Sequence, residues 1–150
     1  MEEETQKSYS LEQLMPLITE RLQNGQSVRF YPKGTSMLPM LRQGIDCVVL
    51  SPLSKYLKKY DLPLYKRENG QYVLHRLVRV GQTYTCIGDN QFVLEHGVRL
   101  EQMIGVVTAF ARGEKEYQIT DWRYRLYVRF WHYSRTPRRL FRKLKQIVRG

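Results

Sequence analysis

A chain of 150 residues, 42% hydrophobic and 12% aromatic, is long enough for one domain with a core, too short for two of ordinary size, and too apolar for wholesale disorder. The formal charge of +11 is unevenly placed, because residues 121–150 hold ten Lys and Arg against the single acid Asp121. The body is therefore nearly neutral, and any argument about anionic partners belongs to the tail. Cys47 and Cys86 each sit in an apolar stretch without a ligand-spaced partner, which reads as two buried strand thiols rather than a disulfide framework or a metal site. No cofactor is called for. The acidic start Glu2-Glu3-Glu4 is unlike a secretory leader, and no run of about twenty apolar residues occurs, so the chain reads as cytoplasmic and not membrane-spanning.

In chain order, residues 10–23 predict a helix. Ser10 and Gln13 form a capping pair, Leu11, Leu14, Met15, Ile18 and Leu22 share a face, and Pro16 argues for a late start. Asn24-Gly25 ends it, a short strand follows over 27–31, and Pro32-Lys33-Gly34 turns the chain. Strands are predicted over 46–50, 62–66, 71–80, 83–87 and 103–110, with Asn69-Gly70 as a hairpin turn. This spacing predicts a mostly β fold, a coiled antiparallel barrel or sandwich. Beyond Gly113 the composition changes. Thr120 or Asp121 is positioned to cap a helix, and after Pro137 the residues Leu140, Phe141, Leu144, Ile147 and Val148 recur at helical spacing among bases. The expected organisation is a helical lead-in over 1–26, a β domain over 27–113 and a basic aromatic helical tail over 114–150, hinged near Pro137.

Ser36 lies between a glycine turn and Pro39 in an apolar setting, as a nucleophile would, and an isolated serine needs a nearby base to take its proton. His75 is the candidate. It interrupts the most hydrophobic strand of the body, where an imidazole is costly unless bonded or used, and at its ordinary pKa it accepts a proton near neutrality. Asp89, with Glu95 six residues on, supplies an acid to orient such a base. His96 and His132, in loop and tail, read as structural.

The ordered segments Gly34-Thr35-Ser36-Met37-Leu38-Pro39, Val73-Leu74-His75-Arg76, Gly88-Asp89-Asn90 and Ile104-Gly105-Val106-Val107 resemble the boxes of type I signal peptidases. They are most similar to the branch, found in the endoplasmic reticulum and in spore formers, that pairs Ser with His. The resemblance runs from about Ser27 to Phe110. It implies a serine endopeptidase cleaving a peptide precursor or leader peptide, in a barrel or sandwich of the signal-peptidase and repressor-peptidase type. Ser36 would be the nucleophile, His75 the base, Asp89 the acidic partner and Glu95 a second acid. The backbone N–H groups of Thr35 and Ser36 would form the oxyanion hole, and Met37, Leu38 and Pro39 would line a subsite for small side chains. This chain departs from the family at Gly34, where many members carry a hydroxyl, and at Tyr60-Asp61, where Gly-Asp is usual. The N-terminal anchor of signal peptidases is not seen either, so a soluble relative is expected.

A non-catalytic or self-cleaving regulatory module on the same fold is the alternative. For the tail over 121–150 three readings stand: a solvated face, a nucleic-acid contact, or an interfacial helix at an anionic membrane. Trp122, Tyr124, Tyr127, Trp131 and Tyr133 among arginines favour the last, with the protein peripheral at the inner membrane face.

Overall fold

The computed structural model describes residues 10–53 and 56–150; the acidic segment Glu2–Glu4 lies outside them. Helix α1 (Leu11–Gln23) starts where Ser10 caps it, the Ser10 Oγ accepting from the Gln13 N–H at 3.3 Å while the Gln13 side chain returns a bond to the Ser10 N–H at 2.9 Å. Pro16 does not delay the helix. The hydrogen bond it forfeits is to the carbonyl of Glu12, in the exposed first turn, where water can serve instead.

Nine strands follow: β1 (Val28–Phe30), β2 (Asp46–Ser51), β3 (Pro63–Lys66), β4 (Tyr72–Leu74), β5 (Arg76–Val80), β6 (Tyr84–Ile87), β7 (Glu95–Val98), β8 (Met103–Arg112) and β9 (Lys115–Gln118). They form two antiparallel sheets. One runs β1-β2-β8-β3-β4 with β9 also on β8, and the other runs β5-β6-β7. The β3–β4 hairpin turns at Asn69-Gly70, where Gly70 takes φ 88° and the Asn69 side chain accepts from the Gln71 N–H. Strand β8 spans both halves of its sheet, and Gly105 within it permits a close approach. A Cβ there would fall 2.9 Å from the Ser51 carbonyl and 3.1 Å from the Leu22 side chain, so α1 packs directly on the sheet.

One core joins Met15, Ile18 and Leu22 of α1 to Val48, Leu50, Leu64, Val107 and Phe110, and a second, with Tyr65, Leu77, Cys86, Val98 and Val106, lies where the sheets meet. Both cysteines are buried free thiols, and burial pushes Cys86 up to about 12.

Three expectations are corrected. The architecture is mixed α/β rather than mostly β, and among the described residues no closed barrel forms. The strand expected over 71–80 is two strands in different sheets, divided at His75, because Leu74 pairs with Leu64 while Arg76 pairs with Ile87. Past Gly113 the chain continues through the β8–β9 hairpin into α2 (Trp122–Tyr133), whose Val128 is buried. The two tail helices meet at Ser134, not Pro137. Pro137 sits in the first turn of α3 (Arg135–Arg149), where a missing N–H costs nothing. Among the described residues no helix is long and apolar enough to cross a membrane.

Candidate active site

Where the chain crosses between the sheets it lifts His75 out of both ladders, and the side chain points into a cleft of about 540 Å³ that also holds Ser36. Leu11 and Leu14 of α1, Phe30 at the end of β1 and Tyr31 after it, and Tyr72 and Val73 of β4 form apolar walls. The lead-in helix is thus part of the site. Of the three residues expected to line a subsite, Met37 faces this cleft, whereas Leu38 and Pro39 are not on its lining.

The loop carrying Ser36 is held by the segment after β6. The Asn90 N–H donates to the Ser36 carbonyl at 2.8 Å and the Asn90 side-chain amide to the Thr35 carbonyl at 3.1 Å. Gly88 allows this seating, since a Cβ there would stand 2.6 Å from the Ser36 carbonyl oxygen and 2.9 Å from Gln91 Oε1. The Gly34 N–H is bound by Gln43 at 2.8 Å. The Thr35 and Ser36 N–H groups have no acceptor among the described residues.

His75 is 3% exposed. Its Nδ1 lies 3.4 Å from the Tyr65 hydroxyl and 3.7 Å from Glu95 Oε2. Tyr65 donates its single hydroxyl proton to Glu95 Oε2 at 2.7 Å, so towards His75 that oxygen can only accept. The arrangement favours the tautomer with hydrogen on Nδ1, leaving the Nε2 lone pair for the cleft. Glu95 is fixed from its other side by Arg67, which donates to both carboxylate oxygens at 3.0 Å. Burial alone would raise the Glu95 carboxyl, but the bonds from Arg67 and Tyr65 and the Arg67 charge outweigh it and hold the group below its usual range. For His75, burial and then the Arg67 charge lower the pKa, opposed by the carboxylates of Glu95 and Asp89, so the ring is a neutral base at pH 7.

Asp89 does different work from Glu95. Both its oxygens accept from Arg76 at 2.8 Å, and the two side chains are almost fully buried. Arg76 further donates to the Tyr60 carbonyl and the Tyr124 hydroxyl, and contacts the Met40 sulfur. Among residues other than glycine in the described chain, Tyr60 alone takes a positive φ, 78°. From α2, Trp131 Nε1 donates to the Asp89 carbonyl at 2.7 Å. This network ties the Ser36 loop, the strand after His75 and α2 together.

No protein-family model, no curated protein and no solved structure matches the chain. The meaning of the cleft therefore rests on its own chemistry. Among the described residues no group of three or more His, Cys, Asp or Glu is placed to hold a metal ion. A second cavity, about 620 Å³ between the β8–β9 hairpin and α2, contains neither Ser36 nor His75.

Sequence reasoning missed Tyr65 and Arg67 altogether and gave Arg76 no role. Tyr65 reads in sequence as one more core residue of β3, and Arg67 as a solvated charge before a turn. The available signal was polarity: a histidine buried in so apolar a strand needs a hydrogen-bonding partner.

Proposed function

We propose that this chain is a serine endopeptidase of the signal-peptidase type, with Ser36 as nucleophile and His75 as general base, acting on a peptide precursor or leader. The observation that carries the reading is that residues 39 apart in sequence share one cleft, with the Nδ1 side of the imidazole occupied and the Nε2 side free. The two-sheet body belongs, in this reading, to the signal-peptidase and repressor-peptidase fold. Tyr60, whose positive φ is one that glycine adopts freely, stands where that family has glycine.

In the first step Ser36 Oγ attacks the scissile carbonyl as His75 Nε2 takes its proton. The tetrahedral oxyanion would meet the N–H groups of Thr35 and Ser36. As the C–N bond breaks, His75 returns the proton to the leaving amine and an ester to Ser36 remains. Water, deprotonated by the same nitrogen, releases the acid and restores the serine. Glu95 takes the acidic role: its charge beside Nδ1 offsets the imidazolium formed in each half-reaction. Asp89 instead holds the scaffold through Arg76.

The test is mass spectrometry of a diverse peptide pool incubated with the wild type, Ser36→Ala and His75→Ala. Cuts by the wild type alone support the peptidase. Equal cutting by a variant refutes the dyad, no cutting by any supports a binding module, and two fragments of the protein itself on storage support self-cleavage.

A further inference from the structure

Helix α2 carries aromatic residues on two faces, and only one of them is used by the fold. Its inner face holds Tyr124, Tyr127, Val128 and Trp131. Tyr124 meets Arg76, Val128 is buried, and Trp131 bonds the Asp89 carbonyl. Three of the aromatics that the sequence offers to a membrane are therefore turned inward. The outer face holds a different set, Trp122, Leu126, Phe130 and Tyr133, each between 61% and 73% exposed. At 100° per residue these four lie within about 80° of arc.

Helix α3 repeats the pattern without any buried face. Leu140, Phe141, Leu144, Ile147 and Val148 are 53% to 85% exposed and span about 120° of arc centred on the same side when the rotation is carried through Ser134, which keeps right-handed helical backbone. From Trp122 to Gly150 there are ten Lys and Arg and no acid, and among the described residues none of the ten pairs with a carboxylate.

We propose that the outer faces of α2 and α3 form one platform that seats the protein on an anionic lipid bilayer. Nine large apolar side chains in water are a surface awaiting cover. A second copy of this chain is disfavoured, because two faces edged only by bases repel each other. A nucleic acid would satisfy the bases but leave Leu126, Leu140, Leu144, Ile147 and Val148 in water, since aliphatic side chains offer no plane on which a base can stack. An anionic bilayer meets both chemistries at once: rings and aliphatics enter the interface, and Lys and Arg remain at the headgroups. Arg142 lies about 160° round α3 from this apolar face and lines the Ser36–His75 cleft, so the seated chain would take its substrate on the side of α3 away from the lipid. This last consequence rests on the peptidase reading; the docking does not.

The test is co-sedimentation of the full chain with vesicles of phosphatidylcholine, alone or mixed with phosphatidylglycerol. Wild type is compared with Phe130→Ser/Phe141→Ser/Ile147→Ser, three exposed positions whose effect on folding is checked by thermal melts. Binding is expected to be on the order of tenfold or more tighter to the mixed vesicles, to weaken with salt, and to drop on the order of tenfold in the triple variant. A blue shift of fluorescence that is lost in Trp122→Phe reads the same seating without the triple variant. Absence of vesicle binding, equal binding to both vesicle types, or a triple variant that binds as well as wild type would each overturn the proposal. So would oligomers or oligonucleotide complexes formed by a protein that ignores vesicles.

Discussion

Glu95 Oε2 stands 3.7 Å from Nδ1 of His75, held there by Arg67 and by the Tyr65 hydroxyl. Glu95→Gln removes the charge that offsets an imidazolium while nearly preserving shape. It is expected to lower kcat by about 10- to 100-fold, less than the roughly 10⁴-fold loss seen when a directly bonded carboxylate is replaced in a triad. Steady-state kinetics on a cleaved peptide, with KM followed separately, measures this. An unchanged kcat would remove Glu95 from the mechanism.

Asp89→Asn is expected to act on stability instead. It leaves the buried Arg76 guanidinium without its counter-charge, a loss of about 3–5 kcal/mol, which for a chain of this size lowers Tm by about 6–20 °C. The folded fraction at low temperature should still turn over substrate within a few-fold of wild type. Thermal melts and low-temperature kinetics together separate the two acids. A stable but inactive Asp89→Asn would return Asp89 to the catalytic machinery.

The two groups that set the pH response are His75 and Glu95, both held below their ordinary values. Because the folded His75 pKa lies under about 6.5, the neutral base persists below that pH, and the acid limb of kcat/KM should have its midpoint under 6.5. In Glu95→Gln the limb should move lower still, since a charge favouring the imidazolium is gone. Stability follows the same sign: the unfolded chain binds the His75 proton first, so its contribution is complete above about 6.5 and is lost as pH falls towards the folded value. A kinetic midpoint above 6.5 would contradict the assigned surroundings of His75.

Much of this was legible before folding. Ser10 and Gln13 announce α1, Asn69-Gly70 announces the β3–β4 turn, and Ser36 and His75 stand out as polar groups in apolar segments. The break at His75 was not legible, since Val73-Leu74 and Arg76-Leu77 read alike whether they join one sheet or two. Nor was the choice of acid. Asp89 and Glu95 are equally plausible partners until pairing across β6 and β7 brings Glu95 beside β3, while Arg76 claims Asp89. The inner face of α2 was hidden for another reason. Its residues Tyr124, Tyr127, Val128 and Trp131 and its outer residues Trp122, Leu126, Phe130 and Tyr133 are equally aromatic at helical spacing, so periodicity does not say which side packs.

Gly88 offers a separate handle on Ser36. The Cβ of Gly88→Ala meets the Ser36 carbonyl oxygen at 2.6 Å, and one of the two must move. With Ser36 displaced, the proposed peptidase activity is expected to show a kcat lower by about 10- to 100-fold, as a misplacement near 1 Å does. A modest change in Tm would show that the fold persists. Wild-type kinetics in Gly88→Ala would mean that the Ser36 loop needs no such seat.

The most direct measurement is labelling of the intact protein with a fluorophosphonate, read by mass spectrometry and peptide mapping. A single adduct on Ser36, absent in Ser36→Ala and slowed on the order of 10²-fold or more in His75→Ala, is the expected result. No adduct on Ser36, or one formed equally fast without His75, would contradict the assignment of these two residues as nucleophile and base.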